Sequence, residues 1–293
     1  MTDITTTGVW FFTETMPAGQ AAEFAARIES LGYSTLWLPE TTGRDPFAHI
    51  AHLANHTETL QFATGIANIY NRHPGVMKQA AATLAEQSGD RFLLGLGVSH
   101  APLVEGLRQL DYSRPLKAMR EYLAAMQASP VSVIPTDSPP TTVLAALGPK
   151  MLELSATAAD GAHPYWTTPE HTAQAREIIG PDKLLLVEQK VCLTTDADAA
   201  RAAADAALGM YDSLPNYVNN WKRLGFTDDE IQGRDPRFVD AVVVWGDEER
   251  VRAGVQAHYD AGATQVCVQP LHPDGSFGSP DWNLLEALAP ANA

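Results

Sequence analysis

Short apolar runs alternate with helical segments along the whole chain, and this alternation limits the possible folds more than any other feature. Gly8–Phe12, Thr35–Leu38, Leu60–Ala67, Arg91–Gly97, Thr142–Leu147, Gly161–Tyr165, Leu184–Thr194 and Gln265–Pro270 read as strands. Arg91–Gly97 (RFLLGLG) is apolar without alternation, as expected of a strand covered on both faces in a parallel sheet. The segments between the strands carry helical spacing. Pro17 opens one in which Ala21, Phe24, Ala25, Ile28 and Leu31 recur on one face before Gly32 ends it. Asp45-Pro46 supplies an N-cap followed by Pro at the first helical position. Pro74–Gln87, Pro149–Thr157, Pro169–Ile179, Asp196–Tyr211 and Asp247–Ala261 repeat the theme, and helical patterning also returns at Pro115. Ser129–Thr141, rich in Pro, Ser and Thr, reads as a long loop. Val239–Trp245 fits either a strand or a buried helix end.

Eight such units in 293 residues fit an α/β TIM (β/α)8 barrel with insertions, which typically takes about 250 residues. A doubly wound open sheet is the competing arrangement. We expect one barrel domain over residues 1–293, with a helical insertion at about 212–238, where the repeat is lost. Barrel chemistry sits where strands end at the C-terminal face. That rule selects Thr13–Glu14, Pro39–Thr42, Gly65–Arg72, Gly97–His100, Gly148–Lys150, His163–Thr168 and Gln269–His272.

Twenty Lys and Arg against thirty-five Asp and Glu give a net charge of −15. Nucleic acid and anionic membrane surfaces both need a basic face, so neither is expected as the main partner. No apolar run approaches the roughly 18–20 residues of a membrane span. Met1–Gly8 is polar and lacks the apolar core of a signal peptide. Cys192 and Cys267 stand far apart with no CxxC, so a reducing cytoplasm is the expected compartment and no metal module is expected. His49, His52 and His56 share helical spacing, but no carboxylate or Cys completes a metal site, and a partly solvated helix face is expected.

Several motifs compete for the chemistry. Gly95-Leu96-Gly97-Val98-Ser99-His100 begins like a dinucleotide fingerprint, yet His100 replaces the third Gly. Gly97-Val98-Ser99-His100-Ala101 is similar to a nucleophile elbow, with Ala at the last position, so a serine hydrolase with Ser99 as nucleophile is one alternative. Glu40 follows an apolar strand directly, where a carboxylate serves chemistry, caps the helix ahead or pairs with Arg44 or Arg72. His100 is a candidate proton carrier or a plain loop histidine. Trp10, Phe12, Tyr70 and Trp166 are aromatics at strand ends that wall a flat ring or fill a core.

The segment Thr64-Gly65-Ile66-Ala67-Asn68-Ile69-Tyr70-Asn71-Arg72-His73-Pro74 is the most specific stretch. Together with Trp37-Leu38-Pro39-Glu40, Asp90–Gly97, Val243–Asp247, Ala261-Gly262-Ala263 and Val266–Gln269, it resembles the luciferase-like monooxygenase superfamily, in particular the branch that uses the deazaflavin coenzyme F420. The resemblance covers most of the chain and implies a TIM barrel with insertions. It implies hydride transfer between coenzyme F420 and a small organic substrate, with an FMN-dependent monooxygenase fed by a separate reductase as the alternative. A homodimer is expected. The resemblance implies a non-prolyl cis peptide at Gly65–Ile66 beneath the cofactor ring. It places Asn68, Gly97, Val98, Ser99, Gly148, Pro149 and Thr167 along the cofactor. Glu40 keeps the family's acid after the second strand, but Thr41 stands where a His is common, which leaves His100 as the better proton carrier. A cofactor-storage barrel without turnover is the non-enzymatic alternative.

Overall fold

The computed structural model describes residues 6–136, 139–209 and 211–290. Its strands are β1 (Gly8–Trp10), β2 (Thr35–Leu38), β3 (Gln61–Thr64), β4 (Ala67–Asn68), β5 (Phe92–Gly97), β6 (Thr142–Leu144), β7 (Gly161–Ala162), β8 (Leu184–Leu193), β9 (Val243–Gly246) and β10 (Gln265–Pro270). Every pairing is parallel. Eight strands close a barrel in the order β1-β2-β3-β5-β6-β7-β8-β10, and β10 returns to β1. The closing seam pairs β10 with β8 from Gln265 beside Leu186 to Pro270 beside Val191. Two short strands, β4 on β5 and β9 on β8, extend the barrel at its C-terminal end. The fold is the expected TIM barrel.

Strand alternation builds two apolar layers. Along β2, Leu36 and Leu38 face the surrounding helices, whereas Trp37 points inward. Trp10, Ala63, Leu93, Val143, Leu186 and Cys267 join it inside the barrel. Seven α-helices begin with Pro at their first position: Pro46–Ala54, Pro74–Ser88, Pro115–Ala128, Pro149–Ala158, Pro169–Ile179, Pro215–Arg223 and Pro236–Val242. Pro lacks only an N–H that would be unpaired there, and its φ is already helical. Acidic residues sit where the helix dipole favours them: Asp228, Asp229 and Glu230 occupy a first helical turn, and Asp247 caps Glu248–Asp260.

The structure corrects several boundaries. The expected strand Leu60–Ala67 is two strands, because Gly65 and Ile66 leave the ladder between them. The expected strands from Gly8, Thr142 and Gly161 stop early, at Trp10, Leu144 and Ala162. Residues beyond those ends turn to line the C-terminal face. Val239–Trp245 is both things expected of it, a helix end to Val242 and then β9. The helix expected over Asp196–Tyr211 runs Ala197–Leu208, and Tyr211–Ser213 forms a separate turn. Residue 210, residues 137–138 of the expected loop and residues 1–5 of the polar N-terminus lie outside the described residues. The segment expected as a helical insertion holds Pro215–Arg223, Asp228–Gln232 and Pro236–Val242, which pack on their own cluster around Trp221, Ile231 and Phe238. Pro102–Leu107 is a π-helical turn that helical spacing could not reveal.

One expectation about a side chain also changes. His49 is buried and hydrogen-bonded to Thr13 Oγ1 at 2.9 Å, so it does not belong to a solvated face. No cluster of metal-ligating side chains occurs among the described residues. Cys192 and Cys267 are buried free thiols. No helix among the described residues is long and apolar enough to cross a membrane.

Candidate active site

The C-terminal ends of the strands open into a cavity of about 1070 Å³. Glu40 after β2, Gly65–Ile66 between β3 and β4, and Val98, Ser99 and His100 after β5 all line it. Gly148 and Pro149 line it after β6, and Tyr211, Asn216, Tyr217 and Arg223 cover it from the helical segment. Three of the expected site residues are not on its wall. Asn68 and Thr167 are buried, and Ile66 fills the space beside Gly97.

The Gly65–Ile66 peptide is cis, as the resemblance implies. The two glycines around it have steric reasons. A Cβ on Gly65 would stand 2.5 Å from Trp10 Nε1, and one on Gly97 would stand 2.3 Å from Ile66 Cδ1. Larger residues would force these groups apart, so the ledge formed by Gly65 and Ile66 depends on both glycines.

Glu40 anchors this ledge. One carboxylate oxygen accepts from the Asn68 amide at 2.8 Å, and the other accepts from Arg72 Nη1 at 2.6 Å. Arg72 also pairs with Asp45, and its carbonyl accepts from the Tyr122 hydroxyl at 2.8 Å. The pair is well buried, with side-chain exposures of 8% for Glu40 and 14% for Arg72. The sequence left Glu40 between chemistry and an Arg pair, and the geometry supplies the pair. Removing one partner of a buried pair costs about 3–5 kcal/mol, because the other charge is left uncompensated. Arg72 retains Asp45, so Glu40→Ala is expected to cost less, about 2–3 kcal/mol. Urea denaturation checks this. A Glu40→Ala, Arg72→Leu double variant should recover part of the loss, and full additivity of the two single losses would refute the coupling.

His100 presents a different environment. Its Nδ1 is buried with no hydrogen-bond partner among the described residues, while Asn216 hydrogen-bonds the ring. Tyr217 stands beside it with ring centroids 5.5 Å apart. Burial pushes the imidazole down to about 4, so it is neutral at pH 7. The His100 carbonyl accepts from Leu103 and Val104 and so starts the π-helical turn. Ser99 has a left-handed φ of 56°, and its carbonyl accepts from Tyr112 at 2.7 Å. A π-turn does follow Ser99 closely, which the elbow reading needs. However, the late histidines are committed elsewhere. His258 is held between Thr172 Oγ1 at 2.8 Å and Gln189 Oε1 at 2.6 Å, and His272 pairs with Asp274. No triad forms at Ser99 among the described residues.

The interior below the cavity holds polar groups that the sequence reading missed. Glu188 and Lys190, two apart on β8, both point inward and pair at 3.0 Å while almost fully buried. The Lys190 ammonium lies 3.7 Å from the Tyr165 ring centroid and 3.6 Å from that of Trp166. Burial pushes Lys190 down to about 8 and raises Glu188, each toward its neutral form. The signal was present as Glu-x-Lys in an otherwise apolar strand. His163, at the end of β7, stacks on Trp37 with centroids 4.1 Å apart and planes 9° apart. It lay within a selected loop, but was not singled out.

Comparison with known proteins agrees with this architecture. A Mycobacterium tuberculosis protein, for which a coenzyme F420-dependent oxidoreductase activity is proposed in its name, is 25% identical, covering 86% of this chain and 91% of its own length. The coenzyme F420-dependent tetrahydromethanopterin reductase of Methanopyrus kandleri superposes with a TM-score of 0.78 at 18% identity, covering 97% of each chain. The oxygenating constituent of 3,6-diketocamphane monooxygenase from Pseudomonas putida, solved with FMN, superposes with a TM-score of 0.73 at 15% identity, covering 97% of this chain and 96% of the other. Residues 3–265 match the profile of the luciferase-like monooxygenases, and the chain belongs to that family.

Proposed function

We propose that this protein is an oxidoreductase that moves a hydride between coenzyme F420 and a small organic substrate. The observation that carries the reading is the cavity built on the Gly65–Ile66 ledge, with buried, unpartnered polar atoms of Trp10, His100 and His163 on its wall. Buried polar atoms are normally paired, so these point to a ligand that completes them. The volume suits a tricyclic ring with its tail and a small second molecule. The sequence relative named for F420 favours the deazaflavin over FMN.

The ring would lie on Gly65 and Ile66. The tail would run toward Gly148, where the helix Pro149–Ala158 begins. Lys150 and Arg223, the two Lys or Arg side chains on the cavity wall, stand at that end. A helix N-terminus and two cations suit a phosphate, although the chain as a whole is acidic. When bound, the deazaflavin would accept the hydride in one direction and give it in the other. His100 handles the accompanying proton at Nδ1, and Asn216 fixes the ring orientation. The aromatic cover of Tyr211 and Tyr217 keeps water from the reacting face.

Side-by-side titration with coenzyme F420, FMN and NADPH tests the reading. Coenzyme F420 should bind at least about tenfold more tightly than FMN, roughly 1.4 kcal/mol. Equal or reversed affinities would move the protein to the FMN branch. Labelling of Ser99 by a fluorophosphonate would restore the hydrolase alternative.

A further inference from the structure

Besides His100, His163 and Trp10 are the residues of the cavity wall that carry a buried side-chain nitrogen with no hydrogen-bond partner among the described residues. His163 and Trp10 are each 2% exposed. His163 Nδ1 lies 2.6 Å from the Leu186 carbonyl oxygen. A carbonyl can only accept, so Nδ1 carries the proton and Nε2 holds a bare lone pair. That Nε2 is buried and has no hydrogen-bond partner among the described residues. Its orientation is fixed twice, by the Leu186 bond and by the parallel stack on Trp37. Burial keeps the ring neutral at pH 7, so Nε2 is not a donor there. Trp10 offers the opposite. Its indole N–H can only donate, is also buried without a partner, and abuts Gly65. One rigid acceptor and one rigid donor therefore belong to residues of the same cavity wall, beside the ledge.

We infer that His163 Nε2 and the Trp10 indole N–H bind the imide edge of the cofactor ring, His163 accepting from the ring N3–H and Trp10 donating to a neighbouring carbonyl oxygen. The inference rests on the reading that a deazaflavin or flavin ring lies on Gly65–Ile66, and it gives that ring a direction. An imide places a hydrogen and a lone pair side by side, which this wall demands. A phosphate or carboxylate offers only acceptors and would leave Nε2 unpaired. The imide edge would point inward toward β1 and β7, and the remaining length of the ring would extend toward the mouth, where His100 stands.

The test uses the full chain and a 5-deazaflavin mononucleotide labelled with 15N at N3, followed by NMR. On binding to the wild-type protein, the N3–H resonance should move downfield and its exchange with water should slow. The Trp10 indole N–H resonance should move in the same titration. His163→Phe, which keeps the stack on Trp37, should weaken binding about tenfold and return the N3 resonance toward its free position. His163→Gln, which keeps an acceptor, should retain part of the shift. Binding with an unmoved N3 resonance, or a shift that survives in His163→Phe, would overturn this inference alone. Absence of binding by both the deazaflavin and FMN would overturn the cofactor reading and this inference with it.

Discussion

Replacing His100 with Ala is expected to lower turnover with the true substrate about 10²–10⁴-fold, the range for loss of a general acid or base. Affinity for the cofactor should stay within a fewfold, because the ring and tail contacts proposed above use other residues. The expectation rests on position and on state. His100 stands just past β5 on the cavity wall, with Nδ1 open and Asn216 holding the ring. A neutral imidazole at working pH can accept the proton released when an alcohol or similar donor is oxidised, and can return it in the reverse direction. The pH profile separates this role from a structural one. Burial pushes His100 down to about 4, so its activity as a base should fade only on the acid side and stay level through neutrality. Turnover that survives His100→Ala nearly intact would remove the role. Glu40 would be a poor replacement, since both its oxygens are engaged by Arg72 and Asn68.

The barrel was legible because its punctuation is local. Pro at the first helical position and apolar runs between such helices depend on neighbours in sequence, and they fixed the order of the elements. The break at Gly65–Ile66 was not legible from propensity, since Ile favours extended backbone. It came only from family resemblance. The site was legible to the extent that it lies on strand ends. His100, Ser99, Glu40 and Gly148 were selected this way and do line the cavity. The partners of these residues were not, because partnership is a fact of three dimensions. Nothing near Glu40 in sequence says that Arg72, rather than Arg44, would reach it. Nothing in Gly161-Ala162-His163 says that the imidazole would stack on Trp37 and turn one nitrogen to the Leu186 carbonyl. Glu188 and Lys190 show the same limit from the other side. Their period of two placed them on one face, but only barrel closure tells that the face is the interior.

Acid should destabilise this protein earlier and more steeply than its carboxylates require. His49, His100, His163 and His258 are each pushed by burial from 6.5 down to about 4. The sign follows from linkage. Between pH 6.5 and 4 the unfolded chain binds protons at these four positions and the folded chain does not, so stability falls as pH falls through that window. A histidine displaced that far withholds on the order of 3 kcal/mol below the window, at 1.36 kcal/mol per pH unit. Four such groups give a large fraction of the roughly 5–15 kcal/mol that holds a domain folded. Burial alone would raise both Glu29 and Asp45, but hydrogen bonds from the Glu58, Thr59 and Leu60 backbone and the Thr59 hydroxyl lower Glu29 from 4.5, and those from the Ala48 backbone and Arg72 lower Asp45 from 3.8. Their stabilisation is therefore lost only as pH falls below those ordinary values, at the acid end of the window. Urea midpoints at pH 7.5, 6 and 5 should accordingly decline by an amount equivalent to several kcal/mol, with most of the loss below pH 6. His258→Gln should reduce the slope, since His258 is held between Thr172 and Gln189 and sits far from the proposed proton transfer. A stability that stays flat from pH 7.5 to 5 would mean that these imidazoles reach protons in the folded state. His100 would then be charged near pH 6, and its activity as a base would begin to fade from that pH instead of near 4.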